Sequence, residues 1–309
     1  MPNYGVIDLG SNSVRLCVYE VKNDTKDSYT KKDFRTLLNN KAMAGLSAHV
    51  ESGYFTKQGI EHAVDVLKGH NKRLKYFDCI RTDVFATAVL RNAKNATSVI
   101  ASIEERTGFP IRVLSEQEEA HLGFRGAASD QVLENGTLID IGGGSTELTQ
   151  IRESIDLYKA SIAHGSLSLY AQEVKAILPK IKELNRMRES ISDSLDGLKE
   201  RSSLEHDVFF GIGGSLRAAA KVYAEVFTPG NRPDTMKLRD YERLIRYSLE
   251  YPENFAHLAL KAAPDRIHTV IPGSTIAYQL MKECGAHELV LCKNGIREGY
   301  LIEHMLLGT

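Results

Sequence analysis

Each half of the chain opens with an apolar run that ends in an aspartate. The first run covers residues 4–8 and the second ends at Asp140. A cluster of glycine and small polar residues follows both, and then another strand-like run, at residues 14–21 and 146–151. Short apolar runs separated by turn residues are typical of buried strands joined by a tight turn. Both halves are therefore predicted to begin with a strand, a turn and a second strand.

Helical periodicity follows each predicted hairpin. Residues 56–77 carry apolar side chains at helical spacing, and residues 167–198 are typical of one or two long helices with polar faces. Strand-like segments at residues 84–86 and 208–210 separate the helical regions. This alternation predicts an α/β protein.

A further helix is expected to start at Ser115, because Ser115 and Glu118 have the spacing of a capping box. The boundary between two domains is placed on this helix, which gives domains 1–125 and 126–309. The last helix of the chain is a candidate to pack back on the first domain.

The two predicted hairpins are copies of one template. Residues 7–16 align without gaps on residues 139–148, and both copies have Asp at the end of the first strand. Either copy alone would be interpreted as an ordinary hairpin turn, since Gly with Asn or Asp marks such turns in many proteins. The same template in both halves instead indicates an internal duplication with a shared role.

The turns of the template suit phosphate binding. Glycine leaves backbone N–H groups accessible to phosphate oxygens, and neighbouring hydroxyl and amide groups add donors. A third glycine cluster precedes the helical run 216–227, where a helix N-terminus can face an anion. The candidate phosphate-binding residues are Gly10, Ser11, Asn12, Ser13, Gly142, Gly143, Gly144, Ser145, Gly213, Gly214 and Ser215.

The aspartates at the strand ends are candidate metal ligands. Mg²⁺ binds through one or two carboxylates together with waters and substrate phosphates, which suits Asp8 and Asp140. Glu147 is a third candidate, although the same position of the first copy is Arg15 and an exposed strand residue can simply be charged. Mg²⁺ is the expected ion, with Mn²⁺ as the alternative.

Composition narrows the class of protein. The 309 residues are 42% hydrophobic and 26% charged, with a formal net charge of −1, which disfavours nucleic acid as a partner. The four cysteines form no C-x-x-C, so neither a zinc site nor a disulfide framework is indicated. No run approaches the length of a membrane span and no leader segment is recognisable. We expect a cytoplasmic protein without a membrane partner.

Five segments together resemble the exopolyphosphatase and guanosine pentaphosphate phosphatase family. That resemblance runs from residue 4 to about residue 305. It implies two tandem ribonuclease H-like domains of the actin-like ATPase superfamily, with an active-site cleft between the domains, and a homodimer. The segments are Val6-Ile-Asp-Leu-Gly-Ser-Asn-Ser13, Ala86-Thr-Ala-Val-Leu-Arg-Asn-Ala-Lys-Asn95, Ser115-Glu-Gln-Glu-Glu-Ala120, Asp140-Ile-Gly-Gly-Gly-Ser-Thr-Glu147 and Gly295-Ile-Arg-Glu-Gly299.

The resemblance assigns roles to two side chains. It implies that Glu119 is the general base for an attacking water and that Arg91 holds a substrate phosphate. Local chemistry allows both, because Glu118 is used by the capping box while Glu119 points about 100° further round the helix, and a guanidinium binds phosphate bidentately. The alternatives are a first-turn carboxylate favoured by the helix dipole and a surface arginine that starts a helix. Arg297 and Glu298 are expected to form an ion pair that fixes the last helix.

Two positions depart from the family pattern. The family usually has glycine where this chain has Glu116, and the Gly-x-x-Arg-Leu that usually follows the second hairpin is here Gly165-Ser-Leu-Ser168-Leu169. These departures affect the start of the Glu119 helix and one basic contact with the substrate. Because of them, a binding protein that senses polyphosphate or guanosine pentaphosphate without hydrolysing it remains an alternative.

The expected function is Mg²⁺-dependent release of terminal orthophosphate from inorganic polyphosphate. Short chains are the expected preference, since longer relatives have an added C-terminal domain. Guanosine pentaphosphate (pppGpp) is the alternative substrate, with a guanine pocket near Gly211–Ser215. An actin-like ATP-dependent kinase is an alternative from another class.

Overall fold

The computed structural model describes residues 1–308, which fold as two compact units. Unit 1 comprises Met1–Asp130 and the segment from Asn294 onward, and unit 2 comprises Gln131–Lys293. Residues 125 and 126, where the sequence places the domain boundary, lie inside a helix of unit 1.

Residues 1–308 contain thirteen strands and eleven α-helices. The strands are β1 (Asn3–Leu9), β2 (Ser13–Val21), β3 (Phe34–Met43), β4 (Val50–Glu51), β5 (Tyr54–Phe55), β6 (Cys79–Ala86), β7 (Ile111–Val113), β8 (Gly136–Ile141), β9 (Thr146–Arg152), β10 (Ile155–Ile162), β11 (Val208–Ile212), β12 (Thr235–Lys237) and β13 (Glu288–Leu291). The helices are α1 (Lys57–Leu74), α2 (Ala88–Arg91), α3 (Ala96–Thr107), α4 (Glu116–Asp130), α5 (Ser166–Glu173), α6 (Ile181–Asp196), α7 (Gly214–Phe227), α8 (Leu238–Glu250), α9 (Pro252–Ala262), α10 (Val270–Glu283) and α11 (Ile296–Tyr300).

Shorter helical turns complete the fold. Three are 3₁₀ turns and the fourth, after α11, has π geometry; they are Leu46–His49, Arg201–Leu204, Pro264–Arg266 and Leu301–Leu306. Within residues 1–308, no helix is both long and apolar enough to cross a membrane.

The two units contain sheets of matching topology. In unit 1 the strand order is β3-β2-β1-β6-β7. Strand β2 is antiparallel to its neighbours β1 and β3, whereas β6 and β7 run parallel to β1. Unit 2 has the order β10-β9-β8-β11-β13, with the same directions, and adds β12 at the edge. A three-strand meander followed by parallel strands reached through helices is the ribonuclease H-like arrangement. The predicted α/β class with tandem domains is confirmed.

Both faces of the unit 1 sheet are covered, which explains why β1 and β2 are apolar almost throughout. Along β1, Ile7 and Leu9 face one buried cluster with α1 and α3, while Tyr4 and Val6 face another that includes Tyr300. Successive strand residues point to opposite faces, so a sheet buried on both sides needs apolar residues at every position. The same alternation places Asp8 on the side of Val6.

Helix α11 is held against α4 by close backbone contact between glycines. A Cβ atom at Gly299 would lie 1.9 Å from the carbonyl oxygen of Leu122, and one at Gly126 would lie 1.8 Å from that of Gly295. Only residues without a side chain allow the backbones to come this close. Gly299 on α11 and Gly126 on α4 thus allow the two helices to pack directly against each other.

The helical region predicted over residues 167–198 consists of two helices, α5 and α6. Pro179 lies in the segment that separates them, and a proline inside a helix removes a hydrogen bond and clashes with the preceding turn. The first predicted helix, by contrast, is continuous as α1, and the hydroxyl of Thr56 caps it by accepting from the backbone N–H of Gly59.

His70 is a buried histidine on α1. Its side chain is 1% exposed, its Nε2–H donates to the carbonyl of Val14 at 3.4 Å, and burial lowers its pKa. The unfolded chain takes up the proton near the ordinary pKa of about 6.5. Because the folded state resists protonation, the unfolded state binds more protons as the pH falls below that value.

We therefore expect the free energy of unfolding to decrease between about pH 6.5 and pH 5, with His70 contributing to the slope. The variant His70→Gln keeps an N–H donor for Val14 but cannot titrate, so its unfolding free energy is expected to depend less on pH. Urea unfolding at several pH values measures this, with the exposed His257→Gln as the control. An unchanged slope in His70→Gln would contradict the assignment.

Candidate active site

The parallel strands of unit 1 bring three of the sequence motifs to one edge of the sheet. Leu9 at the end of β1 accepts a hydrogen bond from the N–H of Thr87 at 3.4 Å, and Ala86 at the end of β6 accepts one from Leu114 at 2.9 Å. The first hairpin turn, the Arg91 segment and the start of α4 therefore meet at the carboxyl ends of these strands. This is the edge where open α/β sheets bind ligands.

The turn of the first hairpin is tightly held by backbone bonds. Gly10 N–H donates to the carbonyl of Ser13 at 3.2 Å, while the carbonyls of Ser11 and Asn12 accept from Ser47 and Gly45 at 3.0 and 2.9 Å. The Nδ2 group of Asn12 is buried and has no hydrogen-bond partner. A buried donor without a partner is costly, and an anionic ligand at this turn would satisfy it.

Arg91 and Glu119 form an ion pair. The Nη1 group of Arg91 donates to Oε1 of Glu119 and also to the carbonyl of Leu114 at 3.0 Å. Both side chains are largely buried, with 16% of Arg91 and 8% of Glu119 exposed. The Nε and Nη2 groups of Arg91 are buried and have no hydrogen-bond partner, so the guanidinium keeps donors that its carboxylate partner does not use.

Glu118 caps α4, as the sequence predicts. Its Oε2 accepts from the backbone N–H of Ser115 at 2.8 Å, and the hydroxyl of Ser115 accepts in return from the N–H of Glu118 at 3.2 Å. Burial acts to raise its pKa, but the hydrogen bonds from Ser115 and Arg112 lower it to about 2. The capping carboxylate is thus distinct from Glu119, which faces Arg91.

Asp8 pairs with a residue that the sequence analysis assigned to another partner. Nη1 of Arg297 donates to Oδ2 of Asp8 at 3.0 Å, and only 14% of Arg297 and 15% of Asp8 are exposed. Because Asp8 lies on the face of the sheet that α11 covers, the two charges can meet across the fold.

The expectation that Arg297 forms an ion pair with Glu298 is wrong. Glu298 instead accepts from the hydroxyl of Tyr19 at 2.6 Å and from the backbone N–H of Gly295 at 2.8 Å, which caps α11. Adjacent residues on a helix point about 100° apart, so each finds its own partner. Glu298 thus stabilises the start of α11, while Arg297 contacts Asp8 at the candidate site.

Positive charge is concentrated around Asp8. Arg15 stands opposite Asp8 on the neighbouring strand, and its pKa is lowered by burial and then by the charge of Arg297. Burial acts to lower the pKa of Arg297 as well, but Cys17, Glu298 and Asp8 raise it. Two guanidiniums therefore lie beside the first hairpin.

The second hairpin places two carboxylates side by side in unit 2. Asp140 on β8 is directly opposite Glu147 on β9, and such partners project from the same face of the sheet. Glu147 is 4% exposed and accepts from the hydroxyls of Ser145 at 2.6 Å and Ser161 at 3.3 Å. These hydrogen bonds fix the orientation of the buried carboxylate.

The glycine loop of the second hairpin is anchored by the start of α5. The carbonyl of Gly142 accepts from Ser166 N–H at 3.0 Å, and the carbonyl of Gly143 accepts from Ser168 N–H at 2.9 Å. The hydroxyl of Ser168 caps α5 by accepting from the N–H of Gly165 at 2.9 Å. Ser168, one of the two departures from the family pattern, thus holds the loop in place.

The third glycine cluster lies next to Asp140. Gly213 has φ +101°, and a Cβ atom there would be 2.8 Å from Oδ1 of Asp140, so only glycine suits the position. The hydroxyl of Ser215, at the start of α7, donates to that of Ser166 at 2.8 Å. Unit 2 thus brings the second hairpin, the start of α5 and the start of α7 to one place.

The carboxylates of Asp140 and Glu147 in unit 2 suit a divalent cation better than the carboxylate of Asp8 in unit 1. Mg²⁺ uses one or two carboxylates and keeps waters and phosphate oxygens as its other ligands, which Asp140 and Glu147 can satisfy. A cation at Asp8 has to share this carboxylate with Arg297. Among residues 1–308, no three His, Cys, Asp or Glu side chains are grouped as a metal site.

Three residues at these sites were not predicted from the sequence to lie there, namely Arg297, Arg266 and Ser166. Arg297 is 289 positions from Asp8, and Arg266 lies against the start of α7, where a Cβ atom at Gly214 would be 2.5 Å from its Nη2. Ser166 joins the second hairpin to Ser215. None belongs to a motif with ligand spacing, so only the fold reveals their positions.

Comparison with known proteins agrees with this architecture. The chain is 25% identical over 298 residues to a putative exopolyphosphatase of Haemophilus influenzae, covering 96% of this chain and 89% of the relative. A crystal structure of an exopolyphosphatase from Cytophaga hutchinsonii superposes with a TM-score of 0.85 at 22% identity, over 99% of this chain and 98% of that one.

A member of the Ppx/GppA protein family from Aquifex aeolicus gives a TM-score of 0.77 at 23% identity, over 99% and 98% of the two chains. The model of the Ppx/GppA phosphatase family matches residues 25–307. The chain therefore belongs to the Ppx/GppA phosphatase family and is a hydrolase.

Proposed function

We propose that this phosphatase is an exopolyphosphatase, which uses Mg²⁺ and water to release the terminal orthophosphate of inorganic polyphosphate. The observation that carries the proposal is the Arg91–Glu119 pair beside the first hairpin. A buried carboxylate on a guanidinium with unused donors provides both a base for water and a binding group for a phosphate.

The pair supports a simple sequence of events. The oxygens of a terminal phosphate take the place of Glu119 on Arg91, whose Nε and Nη2 groups are still without hydrogen-bond partners. A guanidinium can bind a phosphate through two parallel hydrogen bonds. Glu119, by contrast, accepts from Arg91 with a single oxygen, at Nη1. The carboxylate of Glu119 then accepts a proton from water.

The chemical step balances as a hydrolysis. The oxygen of water forms a bond to the terminal phosphorus, and the bond from that phosphorus to the bridging oxygen breaks, with its electron pair leaving on the shortened chain. Glu119 takes the proton from the water, and donors around the first hairpin, such as Nδ2 of Asn12, stabilise the phosphate oxygens. The products are orthophosphate and a chain that is one phosphate shorter.

In unit 2, Asp140 and Glu147 would hold the Mg²⁺ ion. An ion bound there would supply positive charge for phosphate oxygens. The Ser145 and Ser161 hydroxyls orient Glu147, and the N–H of Gly142 holds the loop by donating to the carbonyl of Ser145.

Removing either carboxylate is expected to weaken the binding of Mg²⁺ measurably. Asp140→Asn and Glu147→Gln should each raise the Mg²⁺ concentration for half-maximal activity by more than about tenfold. The stabilisation by Mg²⁺ in thermal unfolding should be lost in parallel. Asp193→Asn changes the same charge on the exposed side of α6 and serves as the control. An unchanged Mg²⁺ requirement in both variants would contradict the assignment.

A substrate panel tests the proposed function. Orthophosphate release is measured with Mg²⁺ from short polyphosphate, long polyphosphate, guanosine pentaphosphate and ATP. The proposal predicts the highest kcat/KM for a polyphosphate. A higher kcat/KM for guanosine pentaphosphate would assign the alternative substrate, and binding of polyphosphate without release would indicate a sensor.

A further inference from the structure

Arg91 has a second carboxylate neighbour that the reaction does not use. Its Nη2 group lies 3.7 Å from Oε1 of Glu116, while Nη1 bonds Glu119. Glu116 and Glu119 are three positions apart on α4, and residues at this spacing share one face of a helix. The fork of the guanidinium thus faces two carboxylates, one on each side.

The two carboxylates differ in exposure and in the kind of contact. Glu119 is 8% exposed and forms a hydrogen bond, whereas Glu116 is 55% exposed and its distance of 3.7 Å is too long for one. Glu116 therefore acts on Arg91 through charge alone. Such an interaction is modest in water and is screened by salt.

The charges of Arg91, Glu116 and Glu119 determine how strongly an anion binds to Arg91. The Arg91 guanidinium and these two carboxylates together carry a net negative charge. Displacing Glu119 is part of the proposed mechanism, but Glu116 stays nearby and repels any phosphate on Arg91. A polyphosphate chain has further phosphates to bind elsewhere, whereas free orthophosphate has only the one.

Capping of α4 does not explain why a glutamate is present at position 116. A carboxylate in the first turn of a helix is commonly stabilising, but Glu118 already caps α4 through its bonds with Ser115. The two roles can be told apart, because a role in helix stability changes unfolding and leaves phosphate affinity unaffected.

We propose that Glu116 is a specificity-determining residue that weakens the binding of phosphate to Arg91 and so keeps the orthophosphate product from occupying the site. This inference rests on the proposed function for its biological sense. Its physical content, the repulsion of phosphate by Glu116, is measurable without turnover.

The experiment compares wild type, Glu116→Gln and the charge-preserving Glu116→Asp. With tripolyphosphate and Mg²⁺ at about 0.05 M salt, Glu116→Gln is expected to lower KM and the inhibition constant of orthophosphate, the latter by roughly two- to fivefold. At about 1 M salt the difference should disappear. Glu116→Asp is expected to behave like wild type, as is Glu105→Gln, which removes an exposed charge from α3.

Each outcome decides the inference. An unchanged inhibition constant in Glu116→Gln at low salt, or a change that persists at high salt, would overturn it while the proposed function stands. If wild type releases no orthophosphate, the proposed function fails, and calorimetric dissociation constants for orthophosphate on wild type and Glu116→Gln then test the inference by the same comparison. Thermal unfolding of all variants shows whether only helix stability has changed.

Discussion

Glu119→Gln is expected to lower kcat for orthophosphate release by about 10²- to 10⁴-fold, the usual contribution of a general base. Glutamine has the shape of glutamate and can still accept a hydrogen bond from Arg91 through its amide oxygen. It cannot take a proton from water. The folded structure and the binding of polyphosphate should therefore remain while the chemical step is lost, and phosphate release under saturating substrate measures this.

The neighbouring Glu118→Gln provides the matched control. Glu118 caps α4 through Ser115, and glutamine at this position can still accept from the N–H of Ser115, so Glu118→Gln should change both the stability and kcat little. If Glu119→Gln kept more than about a tenth of the wild-type kcat, the base would have to be another group.

Gly299→Ala is expected to destabilise unit 1 by about 3 kcal/mol or more, since overpacking against backbone cannot be relieved by a side-chain rotation. The added Cβ atom would lie 1.9 Å from the carbonyl oxygen of Leu122, so α11 has to move away from α4. This displacement also carries Arg297 away from Asp8. Urea unfolding measures the loss of stability.

Gly69→Ala is the corresponding control on α1. Its Cβ atom would meet only the end of the Arg73 side chain, at 3.3 Å, and alanine is preferred to glycine in a helix by about 1 kcal/mol. We expect equal or higher stability for this variant. Wild-type stability in Gly299→Ala would contradict the close packing of α11 on α4.

The elements closest to the chemistry are the ones that local sequence predicts best. The two hairpins follow from an apolar run, an aspartate and a glycine turn, and the repetition of this template predicts the matching sheets. The capping box at Ser115 locates the start of α4, because it is a contact between residues three positions apart. Interactions of this kind are encoded within a few residues.

The interactions that the sequence does not reveal are long-range. The expected Arg297–Glu298 pair treats neighbours in sequence as neighbours in space, whereas α11 brings Arg297 to Asp8 across the fold. Ser166 likewise reaches the glycine loop and Ser215 only because α5 and α7 start at the same place. The predicted cleft between the two domains stays a prediction.

We expect water to attack the terminal phosphate of a polyphosphate. This expectation is tested most directly by ³¹P NMR of tripolyphosphate and Mg²⁺ with the protein in ¹⁸O-labelled water. We expect release of orthophosphate that carries one labelled oxygen, together with unlabelled pyrophosphate, and release by Glu119→Gln that is at least about 10²-fold slower. Label in the pyrophosphate, or no release by wild type, would contradict this expectation.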